Sequence, residues 1–252
     1  MLTKNTIKYL QSLRQKKYRQ KYNNFVAEGD KMAMEIIQST RFSIEGIYAL
    51  ATWIDQQTSF TEAHRSMLHP ISSKDLSRIS YLKTPNQVFV VCKKPSYELD
   101  LAQINASLTL FLENIQDPGN LGTILRIADW FGLEYVFCSP NCVDGFSPKV
   151  IQASMGAFLR VKIYTIEFED LSRQVSDLPI IATTMGGQNI FRQKNLNKGI
   201  VVIGNEGAGI SSDVLQKSTH KLSIPRGKKG RAESLNAAVA TGIICAALLA
   251  SK

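Results

Sequence analysis

Apolar residues recur at helical spacing at Ile7, Leu10 and Leu13 in an otherwise basic, polar stretch, which predicts one amphipathic helix over residues 3–22. A short apolar run, Phe25-Val26-Ala27, comes next, and Glu28-Gly29-Asp30 then opens a helix predicted to reach Ile37. Residues 44–50 and 88–92 read as strands. The polar, proline-containing stretch Lys93-Lys94-Pro95-Ser96 interrupts the pattern, which places the edge of a small α/β unit at residues 97–103. The expected division is a first domain at 1–98, a linker at 99–106 and a second domain at 107–252.

In the second part, strand-like runs at 108–112, 135–138, 161–166, 180–184, 200–203 and 222–224 alternate with helical stretches. One such helix runs to about Phe131, and a strongly apolar one ends near Ala250. Strands separated by helices predict an α/β fold with a mostly parallel sheet and helices on both of its faces. No internal repeat or low-complexity tract interrupts it.

Composition narrows the classes of function. The 252 residues, 44% of them hydrophobic, suffice for a sizeable core. The formal charge of +9 points to a polyanionic partner. That charge is clustered: the first 21 residues hold Lys4, Lys8, Arg14, Lys16, Lys17, Arg19 and Lys21 and no acid, and Lys221, Arg226, Lys228, Lys229 and Arg231 form a second group. A single charged run is more often a solvated face, and two runs at opposite ends of a chain weaken that reading. Cys92, Cys138, Cys142 and Cys245 show no disulfide framework, and with His64, His69 and His220 they give no metal-ligand spacing, so free thiols and no metal are expected. The start of the chain lacks the apolar core of a signal peptide and no apolar run is long enough for a bilayer, so a cytoplasmic protein without membrane attachment is expected.

Three segments carry candidate chemistry. Residues 114–126, Asn-Ile-Gln-Asp-Pro-Gly-Asn-Leu-Gly-Thr-Ile-Leu-Arg, follow a strand and enter a helix expected to start near Asn120, with Arg126 nearly two turns in. Alone they equally describe a capped helix with a solvent-facing arginine. Residues 204–211, Gly-Asn-Glu-Gly-Ala-Gly-Ile-Ser, follow the strand at 200–203; their glycines allow a ligand close to the backbone, yet alone they read first as a plain strand-to-helix turn. Residues 222–240 run from a strand end through a basic, glycine-rich stretch to Glu233-Ser234-Leu235-Asn236-Ala237, where Ser234 is the expected N-cap and Asn236 lies in the first turn. Its stripe of alanines, taken alone, favours a capped core helix.

Together and in this order, the three segments resemble the signature motifs of the SpoU (TrmH-like) RNA 2′-O-ribose methyltransferases of the SPOUT superfamily, over residues 107–252. The front end, with Lys17, Arg19 and residues 25–29, resembles more loosely the substrate-binding domain often attached to them. The resemblance implies a SPOUT-type sheet with a deep trefoil knot, preceded by a small α/β RNA-binding domain. It implies Arg126, Asn120, Glu206, Ser234 and Asn236 as catalytic positions. It further implies S-adenosylmethionine held by Thr183, Thr184, Met185, Gly186, Ile203, Gly204, Asn205, Glu206, Gly207, Ile224, Ser234, Leu235, Asn236 and Ala237. Partners so implied are rRNA or tRNA, held by Lys17, Arg19, Arg226, Lys228, Lys229 and Arg231, and a second copy in a homodimer.

A sulfonium methyl is already electrophilic, so such an enzyme must align a 2′-oxygen and help it lose its proton. In the family the residue matching Arg126 is assigned to activating the hydroxyl. A guanidinium resists deprotonation, so Arg126 is expected to stabilise the developing alkoxide. Asn120 is expected to orient Arg126 or the ribose, and Glu206 to pair with Arg126 or to lower the potential near the cationic cofactor. The competing classes are a non-catalytic RNA-binding ribosome-assembly factor and a nucleotide-dependent enzyme on a Rossmann-like sheet. The second needs a glycine fingerprint after the strand at 108–112, which is absent.

Overall fold

A computed structural model describes residues 1–175, 177–193 and 196–249, with the side chains of Phe60 and Thr61 left out. The expected helix end near Ala250 lies outside the described residues. The chain divides into two units, one of residues 1–97 with 144–159 and the other of residues 98–143 with 160–249. Residues 99–106, expected as a linker, carry the helix Leu101–Ala106.

The first unit holds a four-stranded sheet of β1 (Asn24–Glu28), β2 (Ile44–Ala49), β3 (Leu68–Pro70) and β4 (Val88–Lys93), in the order β1-β4-β2-β3. β4 runs antiparallel to both neighbours, and β2 pairs with β3 in parallel. Its core gathers Ile7, Leu10, Leu13, Val26, Tyr48, Ile79 and Phe89. The single predicted helix at 3–22 is instead two, Lys4–Ser12 and Lys16–Tyr22. The break has a cause: Gln15 is extended, and the Arg19 guanidinium folds back to donate to the carbonyls of Leu13 (2.9 Å) and Arg14 (2.7 Å).

Arg19 also corrects the expected RNA contacts. It is 2% exposed and forms an ion pair with Asp144 at 2.8 Å, so it is a buried structural group and not a phosphate ligand. The segment 144–159 contributes more than this carboxylate to the unit. Phe146 and Phe158 pack against Phe25, and the helix Pro148–Ser154 lies on β1.

The second unit is built on six strands, β5 (Leu108–Leu112), β6 (Tyr135–Cys138), β7 (Lys162–Thr165), β8 (Ile180–Asn189), β9 (Gly199–Ile203) and β10 (His220–Ser223). They lie in the order β10-β8-β9-β5-β6-β7, and every pairing is parallel. β5 and β9 are buried along their whole length, which is why they appear in the sequence as almost wholly apolar runs, Thr109 being their one polar side chain. β8 extends five residues beyond the predicted 180–184, because its far end pairs with β10 after a register shift. The sequence runs outward from β5 to β6 and β7, then resumes on the other side with β8, β9 and β10. That reversal puts a crevice at the carboxyl ends of the strands, where ligands of open α/β sheets bind.

Candidate active site

The middle of β8 and the carboxyl ends of β9 and β10 open into a cavity of about 320 Å³. Its walls include Thr183, Thr184 and Met185 from β8, Ile203 and Gly204 at the end of β9, and Ser223 and Ile224 at the end of β10. Gly204 leaves no room for a side chain: a Cβ there would lie 2.5 Å from the Gly209 backbone. The loop after β9 closes on itself through paired backbone bonds between Asn205 and Gly209, at 3.1 and 2.9 Å. Asn205 organises this loop from inside. Its Oδ1 accepts from the amides of Gly207 (2.9 Å) and Ala208 (3.0 Å), and its Nδ2 donates to the Asn114 carbonyl at 3.0 Å.

The first motif is set by its own turn. Asn114 has a left-handed backbone (φ 59°), and Asp117 Oδ1 caps the helix Pro118–Trp130 by accepting from the Asn120 amide at 2.8 Å. The helix therefore starts two residues earlier than expected. Under the loop, Cys142 Sγ accepts from the Ile115 amide at 3.3 Å. Hydrogen bonds, first from Cys138, outweigh burial there and bring the Cys142 thiol down to about 6.

The three motifs meet in one directional chain of hydrogen bonds. The amides of Ala238 and Val239 donate to Asn236 Oδ1 at 3.0 and 3.2 Å. Asn236 Nδ2 donates to Asn120 Oδ1 at 2.8 Å, and Asn120 Nδ2 donates to Glu206 Oε1 at 2.5 Å. The Ala237 amide adds a longer contact to the same oxygen, 3.4 Å. Each donor points toward the carboxylate, so the arrangement is matched to an ionised Glu206 at the cavity wall. The lining also holds Glu233 and no lysine, arginine or histidine, so the cavity suits a cationic ligand.

This geometry corrects three expectations. The N-cap of the last helix, Ala237–Leu249, is Asn236 and not Ser234, because Asn236 supplies the oxygen that receives the free amides. Ser234 lines the cavity instead. Asn120 and Glu206 are bonded to one another and not to Arg126, which is exposed on the outer stripe of its helix with Gly119, Thr123 and Trp130. Of the residues expected around the cofactor, Gly186 and Asn236 do not line the cavity, whereas Thr183, Thr184, Met185, Ile203, Gly204, Asn205, Glu206, Gly207, Ile224, Ser234, Leu235 and Ala237 do. The expectation missed Ile190, Ala208, Gly209, Ile210, Leu222, Ser223, Glu233, Ala240 and Ile244, which also line the cavity. Periodicity marks Leu222, Ala240 and Ile244 as ordinary core positions, and only the meeting of strand ends shows that they face a ligand.

The donor set fits S-adenosylmethionine. Apolar walls from Ile203, Leu222, Ile224 and Leu235 can hold a purine and a thioether stem, the Gly204 backbone admits close approach, and Glu206 offsets a sulfonium charge. Among the described residues no group of three or more His, Cys, Asp or Glu side chains is placed to hold a metal ion.

Comparison with known proteins identifies the family. Residues 107–246 match the model of the SpoU rRNA Methylase family, and residues 4–90 match the MRM3-like substrate binding domain. The 23S rRNA (guanosine(2553)-2′-O)-methyltransferase RlmP of Bacillus subtilis is 29% identical over 94% of this chain and 93% of its own length. A putative RNA methyltransferase of the TrmH family from Porphyromonas gingivalis superimposes with a TM-score of 0.86 at 34% identity, covering 100% of both chains. The AdoMet-bound rRNA methyltransferase of Sinorhizobium meliloti gives 0.84 at 26% identity, over 98% of this chain and 95% of its own. With its three motifs joined at one cavity and more than half its length matched by the family model, the chain belongs to the SpoU rRNA methylase family.

Proposed function

We propose that this protein transfers a methyl group from S-adenosylmethionine to a ribose 2′-hydroxyl of ribosomal RNA. The observation that carries the reading is the chain from Asn236 through Asn120 to Glu206, which unites all three motifs beside the strand-end cavity. Ribosomal RNA is favoured over tRNA by the name of the Bacillus subtilis relative, which aligns along nearly the whole chain.

When bound, the cofactor supplies an electrophilic methyl group. The residues around the cavity hold and orient it, and Glu206 lowers the potential where positive charge sits. Arg126, exposed and committed to neither Asn120 nor Glu206, is available to a substrate and stabilises the alkoxide as the 2′-hydroxyl passes its proton to a substrate phosphate oxygen. Lys17, Arg226, Lys228, Lys229 and Arg231, all exposed, hold RNA phosphates.

A homodimer belongs to the same reading. Trp130 (85% exposed) and Val239 (53% exposed) stand on two helices that pack against each other, exposed apolar side chains that a second copy would cover. The deep trefoil knot is also part of the proposal, supported by a chain that leaves β10 and returns to lay Ala237–Leu249 against Pro118–Trp130. So is a cytoplasmic location; among the described residues no helix is long and apolar enough to cross a membrane.

The test is transfer of labelled methyl from S-adenosylmethionine to total rRNA and total tRNA, followed by nucleoside analysis. A labelled 2′-O-methylnucleoside from rRNA is expected, and Arg126→Ala is expected to lose turnover while retaining cofactor binding. Cofactor binding without label in either RNA would instead support a non-catalytic assembly factor.

A further inference from the structure

The acid-free first 21 residues surround a feature that charge alone does not account for. On the helix Lys16–Tyr22, Tyr18 and Tyr22 are four residues apart and so share a face, Tyr18 half-buried and Tyr22 40% exposed. Their ring planes lie within 14° of parallel, with centroids 6.3 Å apart. Tyr22 is steadied by Tyr9, whose ring meets it nearly edge-on at 5.1 Å, and the Tyr9 hydroxyl is hydrogen-bonded to the Asn24 side chain at 2.6 Å.

Lysines cover these rings. Lys17 Nζ stands 4.9 Å from the Tyr18 centroid and Lys21 Nζ 5.5 Å from that of Tyr22. A third lysine arrives from a distant part of the sequence. β1 begins at Asn24, two residues after the helix, and pairs Asn24 with the exposed Lys93, while the Lys94 amide donates to the Asn23 carbonyl at 2.8 Å. Two aligned tyrosines and three lysines from two segments thus occupy one corner of the first unit.

We propose that Tyr18 and Tyr22 are a stacking platform for an unpaired base of a single-stranded RNA segment, with Lys17, Lys21 and Lys93 on its flanking phosphates. This rests on the RNA methyltransferase reading and adds to it the kind of RNA structure grasped. An exposed lysine–ring contact is weak, so a base can take the ring while the ammonium moves to a phosphate. A duplex keeps its base faces within its own stack and offers only phosphates and groove edges. The platform therefore discriminates in favour of single strands, as aromatic platforms do elsewhere.

The experiment measures binding of the full-length protein to labelled oligoadenylate of about 12 nucleotides, a length within the usual site sizes, by fluorescence anisotropy. The same oligonucleotide annealed to oligouridylate is the duplex probe. Tyr18→Ala/Tyr22→Ala is expected to weaken single-strand binding by on the order of tenfold per stacked base while leaving duplex binding nearly unchanged. Tyr18→Phe/Tyr22→Phe keeps both rings and is expected to bind like the parent, which separates lost stacking from lost folding. Equal loss on single strand and duplex, no loss on either, or a phenylalanine variant as weak as the alanine one would each overturn the platform. Methyl transfer to rRNA by the same preparations decides the catalytic reading separately, because an inactive parent that still loses single-strand preference in the alanine variant upholds the platform and sinks only the enzyme.

Discussion

Arg19 shows how far a charged residue's role depends on where the chain puts it. Its guanidinium and Asp144 are 3% and 9% exposed at the side chain, and the remaining donors go to two carbonyls. Removing one member of such a pair strands the other as a buried charge, at a cost of about 3–5 kcal/mol. Arg19→Ala and Asp144→Ala are each expected to lose about that much stability, and the double variant to lose less than their sum, in urea unfolding followed by circular dichroism. Equal sensitivity of the singles and additivity in the double would show two independent contacts. The pairing was illegible in the sequence because its partners are 125 residues apart and Arg19 sits inside a basic run.

Glu28 makes a second prediction at this scale. Burial raises its pKa, with hydrogen bonds from Ser80 and the Tyr81 amide and the charge of Arg14 acting the other way. A carboxyl that holds its proton more tightly when folded contributes stability at low pH, and that contribution is lost as pH rises from the unfolded value near 4.3 through the raised folded one. The Tm of Glu28→Gln minus that of the parent is therefore expected to grow across this window and level off above it. A pH-independent difference would show that Glu28 titrates as it does in the unfolded chain.

Among elements, strands were easiest to read. β5 and β6 have the bounds expected from their apolar runs, since a strand covered on both faces must be apolar throughout. Ends set by side chains were harder. The sequence offers both Ser234 and Asn236 as caps, and the choice falls to Asn236 because its amide also reaches Asn120, 116 residues away. The site was legible as three motifs, whereas the order of bonding among them needed the fold. The loop after β9 is the element most sensitive to change. Gly204→Ala would place a methyl 2.5 Å from the Gly209 backbone, too close without opening the turn that presents Glu206. Gly204→Ala is thus expected to reduce S-adenosylmethionine affinity by at least about tenfold in calorimetry, a loss of about 1.4 kcal/mol. Gly207→Ala is the control, because a Cβ there meets only the Asn205 side chain, at 3.5 Å.

For the whole molecule, the α/β class and the parallel order were foreseeable from alternation of strands and helices, but the packing of residues 144–159 with the first unit was not. Contiguity suggested a first domain ending near residue 98, whereas the first unit also takes in residues 144–159. These supply Asp144 for Arg19 and Phe146 and Phe158 against Phe25. A fragment of residues 1–97 is therefore expected to lack fixed packing, with weak near-ultraviolet circular dichroism, and to regain it when residues 144–159 are joined through a flexible linker. A cooperative unfolding transition in the short fragment would show that the unit is complete without them.

The same borrowed segment sets a clock on biosynthesis. A unit finished by residue 97 could close while the rest was still being made, yet this one waits for residue 159, another 62 residues. At about 5–20 residues per second that is roughly 3–12 s during which Phe25 and the Arg19 charge lack their partners. Over that interval the nascent chain is a natural client for holding factors, and a synonymous change that slowed translation between codons 98 and 159 would lengthen its exposure without altering one amino acid.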